Sequence, residues 1–198
     1  CYRDWSSDVC SSDLVDGDPN TVEHQSETFY LERALNPFTS SLSNIELTLS
    51  TLAELSKRNL FDYSVIILCN VHNLPFGYEQ ELEKFVLRGG ALFVTLGNQV
   101  DAKFYNEKLG NILPVFLKSV HQVAMNDEPF RLLIKPSKHP VLKIFEEQTL
   151  EEMKSIEFQS IYSIVPREDS KFTTPIVFSN RLPALIESTT GKGKVLLF

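Results

Sequence analysis

No stretch of this 198-residue chain is apolar over the roughly 20 residues that a membrane-spanning helix needs, which excludes such a helix here and leaves any longer parent protein unconstrained. Cysteine is scarce, at 3 residues, and Cys1 and Cys10 lie in a head segment set aside below. With Cys69 alone remaining, neither a disulfide framework nor a cysteine zinc site can form. Basic residues are outnumbered, 19 Lys and Arg against 26 Asp and Glu, for a net charge of -7. They are also dispersed, so no basic stripe follows a phosphate backbone and nucleic acid is excluded as a partner. The histidines, His24, His72, His121 and His139, lack the i, i+4 spacing of zinc proteases and are read as solvent-facing or capping residues. Neither a metal nor a cofactor is expected.

The segment Asp4 to Leu14, D-W-S-S-D-V-C-S-S-D-L, matches the translation of a common sequencing-adapter primer. Residues 1–14, including the lone Trp5, are therefore read as an adapter-derived artefact that is disordered and makes no packed contacts. Setting them aside removes Arg3, Asp4, Asp8 and Asp13 and moves the net charge from -7 to -5. What remains, 15–198, is the size of one ordinary domain, with no internal repeat and no low-complexity tract.

Along that domain, Ser26 is placed to cap a short helix with Phe29, Tyr30, Leu31, Ala34 and Leu35 on one face, stopped at Asn36-Pro37. Ile45, Leu47 and Leu49 alternate with polar residues as a half-buried strand, and Thr51 with Glu54 forms a capping box for a helix running towards Arg58. Tyr63 to Cys69 and Ala91 to Leu96 read as buried strands. Between them Tyr78, Leu82, Phe85 and Val86 mark an amphipathic helix that Gly89-Gly90 ends. Strands separated by helices imply right-handed crossovers and a mainly parallel sheet. Asp127 to Glu152 looks polar and irregular apart from a helix around Leu142 to Phe145. Period-two apolar residues follow at Ile156, Phe158, Tyr162 and Ile164, with a short strand at Ile176 to Phe178. Ala184 to Ser188 and Lys194 to Phe198 then face each other across a Gly-bearing loop as a hairpin.

Two carboxylates, Asp16 and Asp18, stand at the end of the first strand, where doubly wound folds place their sites. The haloacid-dehalogenase pattern D-x-D-x-T fails at Asn20, and an EF-hand loop fails at Thr21, where glycine is needed. Two readings stay open: a tight turn built by Gly17 and Pro19 whose aspartates accept backbone N–H bonds, and a functional carboxylate site.

Taken in order, V-D-G-D-P (Val15 to Pro19), S-E-T-F-Y-L-E-R-A-L (Ser26 to Leu35), Y-S-V-I-I-L-C-N-V (Tyr63 to Val71), L-E-K-F-V-L-R-G-G-A-L-F-V-T-L-G (Leu82 to Gly97), H-P-V-L (His139 to Leu142) and P-A-L-I-E-S-T-T-G-K-G-K-V-L-L-F (Pro183 to Phe198) resemble the glutamine-amidotransferase-like region of BatA-type, von Willebrand A-containing bacterial membrane proteins. R-G-G-A-L-F-V also suits the ThuA-like relatives. The resemblance implies a three-layer α/β sandwich, flavodoxin-like and class I glutamine amidotransferase-like, truncated at both ends. It also implies a von Willebrand A domain in the same parent chain, a MoxR-type AAA ATPase system as partner, and membrane anchoring through absent parts of the parent. The positive-inside rule applied to such parents puts this domain on the extracytoplasmic side.

Active members of the superfamily carry a cysteine nucleophile on an elbow of pattern G-x-C-x-G-x-Q. Thr95-Leu96-Gly97-Asn98-Gln99 matches C-x-G-x-Q with threonine in the thiol's place, and Cys69 lies one strand too early. The expectation is a non-catalytic structural or ligand-sensing domain with no catalytic residue and a candidate pocket at the strand ends formed by Asp16, Asp18, Asn70, Thr95 and Asn98. The enzyme alternative is a hydrolase or sugar-processing protein of the ThuA-like branch, working through Asp16, Asp18 and Asn70.

Overall fold

The computed structural model describes residues 10–36, 45–134 and 139–198. The strands are β1 (Cys10–Asp16), β2 (Ile45–Thr51), β3 (Val65–Cys69), β4 (Ala91–Thr95), β5 (Val115–Gln122), β6 (Phe130–Ile134), β7 (Glu157–Phe158), β8 (Ser160–Pro166), β9 (Phe172–Phe178), β10 (Pro183–Thr190) and β11 (Gly193–Leu197). The helices are α1 (Phe29–Leu35), α2 (Leu52–Leu55), α3 (Tyr78–Leu87), α4 (Ala102–Lys108), α5 (Pro140–Lys143) and α6 (Glu147–Lys154).

Among the described residues, nine strands form one sheet in the order β2-β1-β3-β4-β11-β10-β9-β6-β7, and β5 pairs with β8 as a separate two-stranded ribbon. The run β2-β1-β3-β4-β11 is parallel throughout, in the strand order of flavodoxin-like folds. From β11 outward every pairing is antiparallel. The sheet is thus mixed, which corrects the mainly parallel expectation. The cause lies in the connections: Gly191 and Lys192 alone join β10 to β11, and so short a link can only reverse the chain.

Two apolar layers flank the sheet. On one face Val15, Ile66, Leu68, Leu92 and Val94 pack with Leu55 of α2, Phe85 and Val86 of α3 and Tyr105 of α4. On the other, Leu14, Ile67 and Cys69 lie under Leu31 and Leu35 of α1, while Leu185, Ile176 and Ile134 pack with Leu142 of α5 and Leu150 of α6. Helix α3 follows its apolar stripe and ends where expected, with Gly89 at φ 119°. The Thr51–Glu54 capping box is present. Helix α2 is shorter than expected, however, stopping at Leu55.

Two further expectations are corrected. Residues 10–14, set aside as unpacked, form the first part of β1, hydrogen-bonded between β2 and β3, with Ser12, Asp13 and Leu14 buried. A slot between two strands recruits backbone regardless of side-chain polarity, because each flanking strand offers a row of unpaired N–H and C=O groups. Trp5 lies outside the described residues. The supposedly irregular stretch from Asp127 to Glu152 also holds β6 and α6 besides α5.

Candidate functional site

Parallel strands end on the same side of a sheet, and the structure accordingly brings Asp16, Asn70 and Thr95 to one edge: Asp16 lies opposite Cys69 in the register, Cys69 lies opposite Thr95, and Asn70 follows Cys69. After β1 the chain turns sharply. The Gly17 N–H donates to the Cys69 carbonyl at 2.9 Å, and a Cβ at Gly17 would sit 2.3 Å from the Asn70 carbonyl oxygen. Only glycine allows that approach.

Asp16 is buried and fully engaged. Its Oδ1 accepts from the Asp18 N–H at 3.0 Å, and its Oδ2 accepts from the Ser26 hydroxyl and, at 3.1 Å, from that of Thr28. This is the turn-building role of an aspartate accepting backbone N–H. It also explains a shift in α1. Ser26, expected as its cap, is drawn to Asp16 instead, and the helix begins after Thr28.

Asn70 is the hub of the edge. It is 1% exposed and sits at φ 50°, a left-handed conformation that asparagine tolerates better than most residues. Its Nδ2 donates to Glu27 Oε1 and to Asn98 Oδ1, each at 2.8 Å, and its Oδ1 accepts the Gln99 N–H at 2.9 Å. Gln99 Nε2 in turn donates to Asp18 Oδ2 at 3.3 Å. One amide thus ties together the loops after β1, β3 and β4. Gly97 is pressed against it, with a Cβ there falling 2.4 Å from the Asn70 side chain.

Neither nucleophile candidate is activated. Burial pushes the Cys69 thiol up to about 11, overriding the opposing hydrogen bond with Thr95, so at neutral pH it stays protonated and inert. Among the described residues, no histidine or carboxylate is hydrogen-bonded to Cys69 or Thr95. The nearest histidine along β3, His72, instead pairs its Nδ1 with the Gln99 carbonyl at 2.7 Å. His139 caps α5, its Nδ1 facing the Val141 N–H, while its Nε2 lies 3.2 Å from Glu187.

All five sequence-derived site residues lie at this edge: Asp16, Asn70 and Asn98 inside the network, Asp18 at its exposed rim and Thr95 beside the thiol. Sequence reasoning missed Glu27 and Gln99 as their partners. It also missed Tyr162, whose hydroxyl reaches back from β8 to the Gly97 and Val100 carbonyls at 3.4 and 3.2 Å. The glutamine of the elbow pattern was visible in sequence. Glu27 and Tyr162 carry no local signal, since their partners lie 43 or more positions away.

No protein-family model and no curated protein matches the sequence. Solved structures do match in shape. The cytoplasmic protein STM1381 of Salmonella typhimurium LT2 superposes with a TM-score of 0.68 at 13% identity, over 95% of this chain and 86% of that one. A putative ThuA-like protein from Bacteroides uniformis gives 0.57 at 11% identity, over 98% of this chain and 83% of that one. A cold-adapted β-galactosidase from Rahnella sp. R3 gives 0.57 at 10% identity over 95% of this chain, which spans only 28% of the enzyme. At these identities the likeness establishes the fold, a mixed α/β architecture shared with a ThuA-like protein, and nothing of the chemistry.

Proposed function

We propose that this domain is a non-catalytic, ligand-binding or structural module of a membrane-anchored, BatA-like bacterial protein related to aerotolerance or stress. The observation that carries the non-catalytic part is the saturation of the sheet edge: Asp16 and Asn70 use their polar atoms on neighbouring loops, and the one thiol nearby is held protonated. A reacting group needs a partner that activates it and room for a substrate, and among the described residues neither the thiol nor Thr95 has the partner. The BatA-like part rests on the ordered motifs from Val15 to Phe198. With it come the von Willebrand A domain in the same chain, the MoxR-type ATPase system and an extracytoplasmic position.

Ammonia release from glutamine tests the reading. Wild type and Thr95→Cys should both match a no-enzyme control, because the substitution restores an attacking atom but no base. Turnover by wild type that Thr95→Ala abolishes would refute it. The ThuA-like hydrolase is the second reading, favoured by the shared fold and by the exposed Asp18 beside the network. Hydrolysis of nitrophenyl glycosides that Asp18→Asn removes would promote it.

A further inference from the structure

Beside the Asn70 network, the crossing of the β5–β8 ribbon over the ends of β4, β11 and β10 leaves a cavity of about 330 Å³. Its walls are mostly apolar: Phe158 meets both Phe178 and Phe198 edge to face, and Ile186 and Ala184 continue the surface. Tyr162 stands in the same wall with its hydroxyl turned onto the Gly97 and Val100 carbonyls, so the ribbon is pinned to the elbow loop. Among the described residues no charged side chain lines the cavity; the polar side chains on its wall include the amides of Asn98 and Gln122.

We propose that this cavity binds a small, neutral, largely apolar molecule of bicyclic aromatic size carrying one hydrogen-bonding group. Size follows from volume. A dry apolar cavity of about 150 Å³ accommodates benzene, so roughly twice that space suits a fused two-ring molecule, and the volume lies at the small end of known ligand pockets. Charge follows from the lining. An anion or cation would shed its hydration without meeting a counter-charge, which costs several kcal/mol or more. A sugar is disfavoured for a related reason, since each buried hydroxyl needs a partner and the wall has few polar side chains to offer. Asn98 and Gln122 can donate or accept, which matches one phenolic hydroxyl or ring N–H.

The inference gives a ligand class to the binding role proposed above, and its test is separate, because binding is read without turnover and ammonia release without the cavity. Calorimetric titration of the full chain with 2-naphthol and with indole should give saturable one-to-one binding. Naphthalene-2-sulfonate should bind at least tenfold more weakly and galactose not at all. Ala184→Phe, which fills the cavity, should weaken 2-naphthol at least tenfold. Should that variant not fold, Phe158→Ala decides: it enlarges the space and should shift preference from indole towards 2-naphthol. Non-saturable uptake, affinity unchanged in both variants, or galactose binding that competes with 2-naphthol would overturn the proposal.

Discussion

Asp13 occupies a place that a strand hydrogen-bonded on both sides ordinarily gives to valine or isoleucine. It is fully buried, one oxygen accepts from the Ser50 hydroxyl at 2.5 Å, and the other has no partner among the described residues. Burial holds its carboxyl above the ordinary 3.8, against the pull of Ser50 and of Arg58. The folded chain therefore keeps this proton at pH values where the unfolded chain has released it. The stability tied to it is complete below the unfolded value and is lost as pH rises through the raised folded value. Asp13→Asn keeps an acceptor for Ser50 and removes the charge, so it should stabilise the domain by about 1–3 kcal/mol at neutral pH. The gain should vanish near pH 3, where both states of the wild type are protonated. Urea unfolding of the two proteins at both pH values checks this, and a gain of equal size at both would show that charge burial is not the cause.

At the scale of elements, the loop after β1 meets the loop after β3 most closely where Gly17 lies against the Asn70 backbone. A methyl there meets backbone atoms rather than a movable side chain, so Gly17→Ala should cost about 1–3 kcal/mol and lower the melting temperature. A melting temperature equal to that of wild type would mean that the loops are not locked at this contact. Elements with local signals were legible in sequence: the Thr51–Glu54 box, the α3 stripe with its glycine stop, and the β10–β11 hairpin. The sharp turn at Asp16-Gly17-Asp18 was legible too. Others were not, for stated reasons. Strand β1 begins Cys-Ser-Ser-Asp, and only the slot between β2 and β3 makes it a strand. Strand β6 is only five residues long and is fixed by pairing with β9, 42 or more positions away. Helix α4 did carry a signal, since Asp101 caps it by accepting from the Lys103 and Phe104 N–H groups. The site was half legible: strand-end geometry follows from topology, whereas the Asn70 hub joins residues from three separate segments.

Over the whole molecule, β11 is the joint between a parallel half and an antiparallel half, paired with β4 on one side and β10 on the other. Neither half owns its core. The large cluster on one face takes Ile186 from β10 and Phe172 from β9, and the cluster of the antiparallel half takes Phe93 from β4 and Leu196 from β11. Elements that share a core in this way lose it together, so the two halves should unfold as one cooperative unit, with only edges such as the two-residue β7 opening earlier. Gly193 sits at the joint, where a Cβ would fall 2.2 Å from the Val86 carbonyl and 2.3 Å from that of Gly90. Gly193→Ala should therefore destabilise both halves by the same amount, about 1–3 kcal/mol. Hydrogen exchange in graded urea reads this directly: amides of β3 and of β9 should lose protection at one shared urea concentration in wild type, and at one lower shared concentration in the variant. Protection lost in β9 while β3 stays closed would show instead that the antiparallel half is a separable unit resting on a self-sufficient parallel core.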